Sequence, residues 1–180
     1  MQVTVTIPEL ETERLILRAY DDARDLDRFS AFMETDASRF FMGPMDRYGT
    51  WKLGCAIMGH WMRYGYGLFA IEEKATGEFV GLTGVWEAET WPHPELAWML
   101  MQDKEGKGYA TEAARRARDY IFNDLQWTSV VSAIEEDNAG SMKVADRLGA
   151  KPDFEHTRPS GIKVIYYRHP APQTAMETVQ

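Results

Sequence analysis

The sequence is first informative for what it lacks. Its 180 residues include one cysteine, Cys55, which excludes an internal disulfide and a thiolate-rich metal site. The longest unbroken apolar run, 96–101, is too short to cross a bilayer, and residues 1–10 lack the apolar core of a signal peptide. Lysine and arginine together number 20 against 28 acidic residues, and a net charge of −8 is unfavourable for nucleic-acid binding. We therefore expect a cytoplasmic protein with no membrane or nucleic-acid partner.

Recognisable metal ligands are also scarce. The histidines lie at positions 60, 93, 156 and 169, far from one another along the chain. Metal sites built on histidine usually show pairs of ligands a few residues apart, and no such pair is present. The sequence therefore predicts no metal cofactor.

Size and composition are those of a folded domain. Hydrophobic residues make up 44% of the chain and charged residues 27%, close to the averages for globular proteins. A chain of 180 residues is expected to form one domain. We place that domain at residues 1–169 and predict that the proline-containing, polar segment 170–180 is a flexible tail.

Hydrophobic periodicity predicts a domain in which strands and helices are interspersed. The predicted strands are 14–20, 68–72, 78–86, 95–101, 129–134 and 163–168, and the predicted helices are 21–33, 50–64, 109–123 and 139–148. In the helix 50–64, Trp51, Cys55, Met58 and Met62 form an apolar stripe that we expect to face the core. This order of elements predicts an α/β or α+β fold with a central sheet flanked by helices.

The strongest local signal is a pair of glycines at the start of the helix 109–123. Gly106 and Gly108 separate an apolar strand from this amphipathic helix. The first N–H groups of a helix bind anions, and glycines let phosphate approach the backbone. Lys104 and Lys107 would add positive charge. The spacing matches neither the P-loop nor the dinucleotide fingerprint, and a tight turn is an equally good interpretation of the glycines alone.

Several other segments occur around this loop in a specific order. These segments are Glu11–Arg18, Val80–Gly84, Glu95–Leu100, Gly106–Ala113, Asn138–Ser141 and Leu148–Gly149. Together they resemble the GCN5-related N-acetyltransferases (GNAT family), and most of all the branch that acetylates the N-terminal serine or alanine of ribosomal proteins. The resemblance extends over residues 11–167, which is nearly the whole chain.

The resemblance implies a mixed, mostly antiparallel sheet with two strands splayed apart where coenzyme A binds. Acetyl-CoA would be the co-substrate, with its pyrophosphate on the backbone of 106–111 and its pantetheine arm between the splayed strands. The residues implied in cofactor binding are Met99, Leu100, Met101, Gly106, Lys107, Gly108, Tyr109, Ala110, Thr111, Asn138 and Ser141.

Two positions depart from the family pattern. Asp103 stands where many members have arginine or glutamine, so it either weakens cofactor binding or points away from the phosphates. Ala145 stands where some members have a tyrosine that protonates the leaving thiolate. If an acid is required, Ser141 or a water molecule must supply the proton.

The implied reaction is acetyl transfer to a primary amine by direct attack on the thioester. The amine must lose a proton, and we assign Glu95 as the candidate base because it opens the strand that leads to the glycine loop. A strand-end carboxylate in water is the alternative interpretation of Glu95. Glu87, Glu89 and His93 are weaker candidates in the preceding loop.

The sequence leaves the acceptor open. A protein N-terminus and a small cationic amine both fit, and we expect a positive charge on the acceptor because acidic residues are in excess outside the basic segment 104–118. The acidic residues in question are Asp21, Asp22, Asp25, Asp27, Glu34, Asp36, Glu87, Glu89 and Glu95. A non-catalytic acyl-CoA-binding or interaction module is the alternative function. Both a monomer and a homodimer are compatible with the sequence.

Overall fold

The computed structural model describes residues 4–172 and contains one sheet of eight strands with four helices. The strands are β1 (Leu10–Glu11), β2 (Leu15–Arg18), β3 (Leu68–Glu73), β4 (Glu78–Trp86), β5 (Glu95–Leu100), β6 (Val131–Glu135), β7 (Lys151–Thr157) and β8 (Lys163–Arg168). The helices are α1 (Asp22–Met33), α2 (Arg47–Tyr64), α3 (Tyr109–Asn123) and α4 (Ala139–Arg147). Short 3₁₀ turns occur at Asp36–Phe40 and Gln102–Lys104. Across residues 4–172, no helix is long and apolar enough to span a membrane.

The sheet is open and mostly antiparallel, with the strand order β1-β2-β3-β4-β5-β6-β8-β7. The parallel pair is β5 with β6, and its described pairing is limited to Glu95 opposite Val131. Beyond this point the two strands diverge and leave a V-shaped opening in the sheet. The predicted fold class, with a mixed sheet and two splayed strands, is therefore confirmed.

The helices cover both faces of the sheet. Successive residues of β3 point to opposite sides, as the pleat requires: Leu68 packs with α1 and α2, and Phe69 packs with α3. On α3 the predicted apolar face is buried through Ala113, Ala117 and Ile121. Each face of the central strands therefore has its own apolar core.

The predicted core face of α2 is wrong except at Met58, which packs partly buried against the core. Trp51 and Met62 are 41% and 56% exposed, and Cys55 is exposed too. A second apolar stripe, Leu53, Ile57 and Trp61 at four-residue spacing, is buried instead. The helix carries two competing stripes, and the tertiary contacts of Trp61, whose indole N–H donates to the Leu68 carbonyl at 2.9 Å, decide between them.

The sequence did not predict two of the strands. β7 is an edge strand that pairs with β8 alone, and its mostly exposed residues show no apolar alternation. β1 has two residues, too few to give a pattern. The predicted tail 170–180 lies outside the described residues from position 173 onward, and the domain boundaries 1–169 stay a prediction.

A buried ion pair joins α1 to the sheet. The Arg18 guanidinium on β2 donates to both oxygens of Asp25 on α1, at 2.8 and 2.7 Å. Its Nε donates to Glu72 on β3 at 2.6 Å, and Asp25 is completely buried. The Arg18–Asp25 pair is therefore buried, and through the partly buried Glu72 it connects three elements.

We expect Asp25→Ala to lower the free energy of unfolding by about 3 kcal/mol, because Arg18 would keep its charge with one buried partner gone. Asp27→Ala is the matched control, since Asp27 pairs with Arg47 on the surface of the protein, and it should cost less than about 1 kcal/mol. Urea unfolding of both variants measures the difference, and equal losses would contradict this account of the buried pair.

Candidate active site

A groove of about 490 Å³ occupies the opening between β5 and β6. Its walls also include the start of α3, the start of α4 and the turn at Asp36–Phe40. The predicted site residues that line it are Glu95, Met99, Leu100, Gly106, Gly108, Ala110, Thr111, Asn138 and Ser141. The structure thus brings together residues that are distant in the sequence.

Three predicted cofactor residues lie elsewhere. Met101 packs in the core beneath α1, and Tyr109 is buried with its hydroxyl donating to Glu73. Lys107 lines a shallow depression on the outer side of the glycine loop, together with Arg14, Arg115 and Arg147. Of these arginines, Arg14 and Arg147 were missed by the sequence analysis: Arg147 belongs to no motif, and Arg14 lies in the segment Glu11–Arg18, which is far from the glycine loop in the sequence.

One end of the groove exposes hydrogen-bond donors that have no partner in the described part of the chain. Gly106 and Gly108 have φ angles of 75° and 83°, in the left-handed region that favours glycine. No side chain caps the N-terminus of α3, so its first N–H groups are available to a ligand. Thr111 adds a buried hydroxyl with no hydrogen-bond partner within residues 4–172. These orphan donors fit a phosphate group that approaches the backbone.

Lys104 does not belong to this anion site, contrary to our expectation. It is buried, and its Nζ contacts Glu73 at 2.6 Å and Glu78 at 2.8 Å. The Lys104 ammonium, with the Tyr109 hydroxyl, lowers the pKa of Glu73 to about 2. Lys104 therefore anchors the base of the glycine loop to β3 and β4.

Asp103 points away from the anion site. Its carboxylate pairs with Arg28 on α1 at 2.6 Å, and it lines neither the groove nor the depression beside the loop. Of the two alternatives for this departure from the family pattern, the structure supports the second.

The start of α4 contributes two polar side chains to the groove. Asn138 caps the helix, since its Oδ1 accepts the Ser141 N–H at 3.0 Å. The Ser141 hydroxyl oxygen accepts the indole N–H of Trp98 at 3.3 Å. Ala145 is completely buried against Ile134, so it takes no part in the groove.

Glu95 lies where β5 and β6 separate. It is 6% exposed, and its Oε2 accepts the Ala133 N–H at 2.9 Å. Burial raises the pKa of Glu95 to about 8, against the opposing effects of Arg158 and of the Ala133 N–H. The structure therefore excludes a water-exposed strand end and leaves a carboxyl group that titrates near neutral pH.

The other end of the groove was missed by the sequence analysis. Aromatic and apolar residues line it together with two arginines, and these residues are Phe40, Phe41, Met42, Trp86, Trp91, Ile162, Arg39 and Arg158. Arg158 belongs to the hairpin between β7 and β8, and no sequence signal could place it there once β7 was missed.

The acidic residues that suggested a cationic acceptor are mostly engaged elsewhere. Asp25 binds Arg18, Asp27 binds Arg47, and Glu87 accepts the Tyr66 hydroxyl. Within the described part of the chain, Glu95 is the member of that set that lines the groove. The positive charge of the acceptor stays a prediction that depends on Glu95.

Comparison with known proteins decides the family. The sequence model of the acetyltransferase (GNAT) domain matches residues 14–151. This chain belongs to the GNAT acetyltransferase family. It is 34% identical to an acetyltransferase from Agrobacterium tumefaciens, whose crystal structure superposes with a TM-score of 0.83 over 94% of this chain and 98% of the other.

Other GNAT relatives extend the comparison. The chain is 31% identical to the uncharacterized protein YkkB of Bacillus subtilis over 78% of this chain and 84% of that protein. RimL, a ribosomal L7/L12 alpha-N-protein acetyltransferase solved in complex with coenzyme A, shares the fold with a TM-score of 0.75 and 15% identity over 91% and 98% of the two chains. As a GNAT protein, this chain is an acetyltransferase of a family whose acetyl donor is acetyl-CoA.

The raised pKa of Glu95 predicts a pH-dependent stability. Between pH 4.5 and about 8 the folded protein holds a proton on Glu95 that the unfolded chain releases, so stability falls as pH rises through this window. Glu95→Gln removes this loss. As pH rises through the window, the unfolding free energy of the variant minus that of the wild type should increase by about 1.4 kcal/mol per pH unit.

Denaturant unfolding at several pH values measures this effect. Glu155→Gln, at an exposed position of β7, is the control for the loss of one carboxylate. A constant difference between the Glu95→Gln and wild-type proteins from pH 5 to pH 8 would show that Glu95 is not a proton-holding group.

Proposed function

We propose that this GNAT acetyltransferase transfers acetyl from acetyl-CoA to a primary amine, either a protein N-terminus or a small cationic amine. One observation carries the proposal: a buried carboxyl group with a pKa near 8, Glu95, lines the same groove as the uncapped N-terminus of α3. The first can remove a proton from an amine, and the second can hold a phosphate.

The chain offers a matching set of groups for coenzyme A. The N–H groups of residues 109–111 would bind the pyrophosphate, with Gly106 and Gly108 allowing close approach. Met99 and Leu100 on β5, with Asn138 and Ser141 at the start of α4, would flank the pantetheine arm. Lys107, Arg14, Arg115 and Arg147 add positive charge on the outer side of the loop.

Acetyl-CoA, when bound, supplies a thioester that a neutral amine can attack without a protein nucleophile. Glu95 then acts as general base and takes the proton of the acceptor ammonium, directly or through a water molecule. Its raised pKa makes the carboxylate a stronger base than an ordinary glutamate.

Ser141 is our candidate proton donor to the sulfur. The Trp98 N–H donates to the Ser141 Oγ, so this contact leaves the hydroxyl proton for another acceptor. With Ala145 buried in the core, Ser141 is the hydroxyl at the start of α4 that faces the groove.

Gly108→Val tests the anion site. A β-branched residue is strained at the φ of 83°, so the loop must change shape and coenzyme A should lose at least tenfold in affinity. Gly77→Val is the matched control, because Gly77 has a φ of 71° in open space at the turn between β3 and β4.

Titration calorimetry with coenzyme A measures both variants. Both variants introduce the same kind of backbone strain. If Gly77→Val leaves the affinity for coenzyme A unchanged, the loss in Gly108→Val comes from the glycine loop and not from a general loss of stability. Equal affinities of folded Gly108→Val and wild type would remove the loop from the cofactor site.

Glu95→Gln tests the base. The wild-type kcat/KM for an amine acceptor should rise with pH up to about 8, because Glu95 must be deprotonated to accept a proton. The Gln variant should lose roughly 10²-fold at pH 7, with a smaller loss at high pH, where the neutral amine is abundant.

Thiol release from acetyl-CoA reports this reaction across a panel of amines and pH values. An unaffected Glu95→Gln enzyme would rule out Glu95 as the base. Coenzyme A binding without turnover on any amine would indicate the non-catalytic module instead.

A further inference from the structure

Two arginines line the aromatic end of the groove, and the function proposed above gives them no role. We call this the acceptor end, because the proposal assigns coenzyme A to the end beside α3. Arg158 lies in the hairpin between β7 and β8, where its backbone N–H donates to the Ile162 carbonyl at 2.9 Å. Arg39 also lines the groove and lies near the end of the turn Asp36–Phe40. Both lie at the end of the groove away from the anion site of α3.

The Arg158 side chain packs on an aromatic ring and leaves donors without hydrogen bonds. Its guanidinium carbon lies 4.5 Å from the centre of the Trp91 ring, and its side chain is 19% exposed. Its Nη1 is 3.7 Å from Glu135, too far for a hydrogen bond. Its Nε is buried with no partner among the described residues. A guanidinium that packs on an aromatic ring and has unused donors is suited to bind a carboxylate through two parallel hydrogen bonds.

The charge around Arg158 favours an anion as well. Two acidic groups face it, Glu95 and Glu135. Below pH 8 Glu95 is mostly protonated, which leaves Glu135 as the charged carboxylate against Arg39 and Arg158. The acceptor end is therefore positive at neutral pH in a protein whose net charge is −8.

The walls of this end fit an apolar group. Phe40, Phe41, Trp86 and Trp91 line the groove together with the two arginines and Glu95. Arg158 is also near enough to Glu95 to lower its pKa electrostatically, so a single small molecule can direct its amine to Glu95 and its anion to Arg158.

We propose that the acceptor is a free α-amino acid with an apolar side chain, whose carboxylate binds Arg158 while its amine faces Glu95. This inference rests on the proposed transfer of acetyl to a primary amine, but it replaces the net-cationic acceptor considered there with a zwitterion, in which the amine alone is positively charged. The aromatic walls would hold the side chain, and Arg39 would strengthen the local positive potential.

Matched acceptors test the proposal on the full chain with acetyl-CoA. L-phenylalanine is compared with L-phenylalaninamide and with a neutral tripeptide amide that begins with phenylalanine, by thiol release at pH 7.5. The wild-type kcat/KM should be at least tenfold higher for the amino acid, although the amide has the less basic amine and hence more of its reactive neutral form.

Arg158→Met should abolish the preference for the amino acid over the amide. Arg158→Lys should retain part of it, because lysine keeps the positive charge but lacks the paired N–H donors of the planar guanidinium. Arg47→Met removes a positive charge outside the groove and should leave the preference unchanged. The ratio of two acceptors within one variant cancels effects on folding and on Glu95.

A wild-type enzyme that acetylates the amide or the peptide as well as the amino acid would overturn this inference and leave the proposed function standing. If neither these acceptors nor the panel of amines used above reacts, the proposed function fails, and calorimetry with L-phenylalanine in the presence of coenzyme A decides the inference separately. Binding that is lost in Arg158→Met supports it, and absent binding overturns it.

Discussion

The short parallel contact between β5 and β6 is the constraint on which the rest of the structure depends. One residue pair, Glu95 and Val131, joins the strands before they separate. The Ser132 hydroxyl strengthens this junction by donating to the Leu96 carbonyl at 2.5 Å, and His169 contacts the same hydroxyl at 2.9 Å. Because the strands part here, backbone groups and side chains that a continuous sheet would cover face a groove instead.

This junction also explains the unusual carboxyl group. Glu95 is buried because it lies at the closed end of the opening, and the Ala133 N–H that it accepts is exposed by the divergence of β6. The position that limits strand pairing is therefore the position that raises the pKa of Glu95, since both follow from the same local geometry.

The sequence predicts the features that depend on local hydrophobic periodicity better than those that depend on tertiary contacts. Periodicity was sufficient for α3 and for β8, whose bounds it matched, and the glycine pair correctly marked the start of α3. Hydrophobic periodicity did not predict β7, because an exposed edge strand needs no alternation of apolar and polar residues. It also failed for Lys104 and Arg158, since the charge of a side chain does not reveal its tertiary partner.

The two ends of the groove come from different kinds of structure. The end that we assign to coenzyme A is built from β5 and the starts of α3 and α4, which are packed into the core. The opposite end is built from connecting segments, the turn at Asp36–Phe40, the loop 87–94 and the hairpin that carries Arg158. Connecting segments tolerate substitution and insertion better than the elements they join. Acceptor choice in this scaffold can thus diverge during evolution while the donor half of the reaction is inherited unchanged.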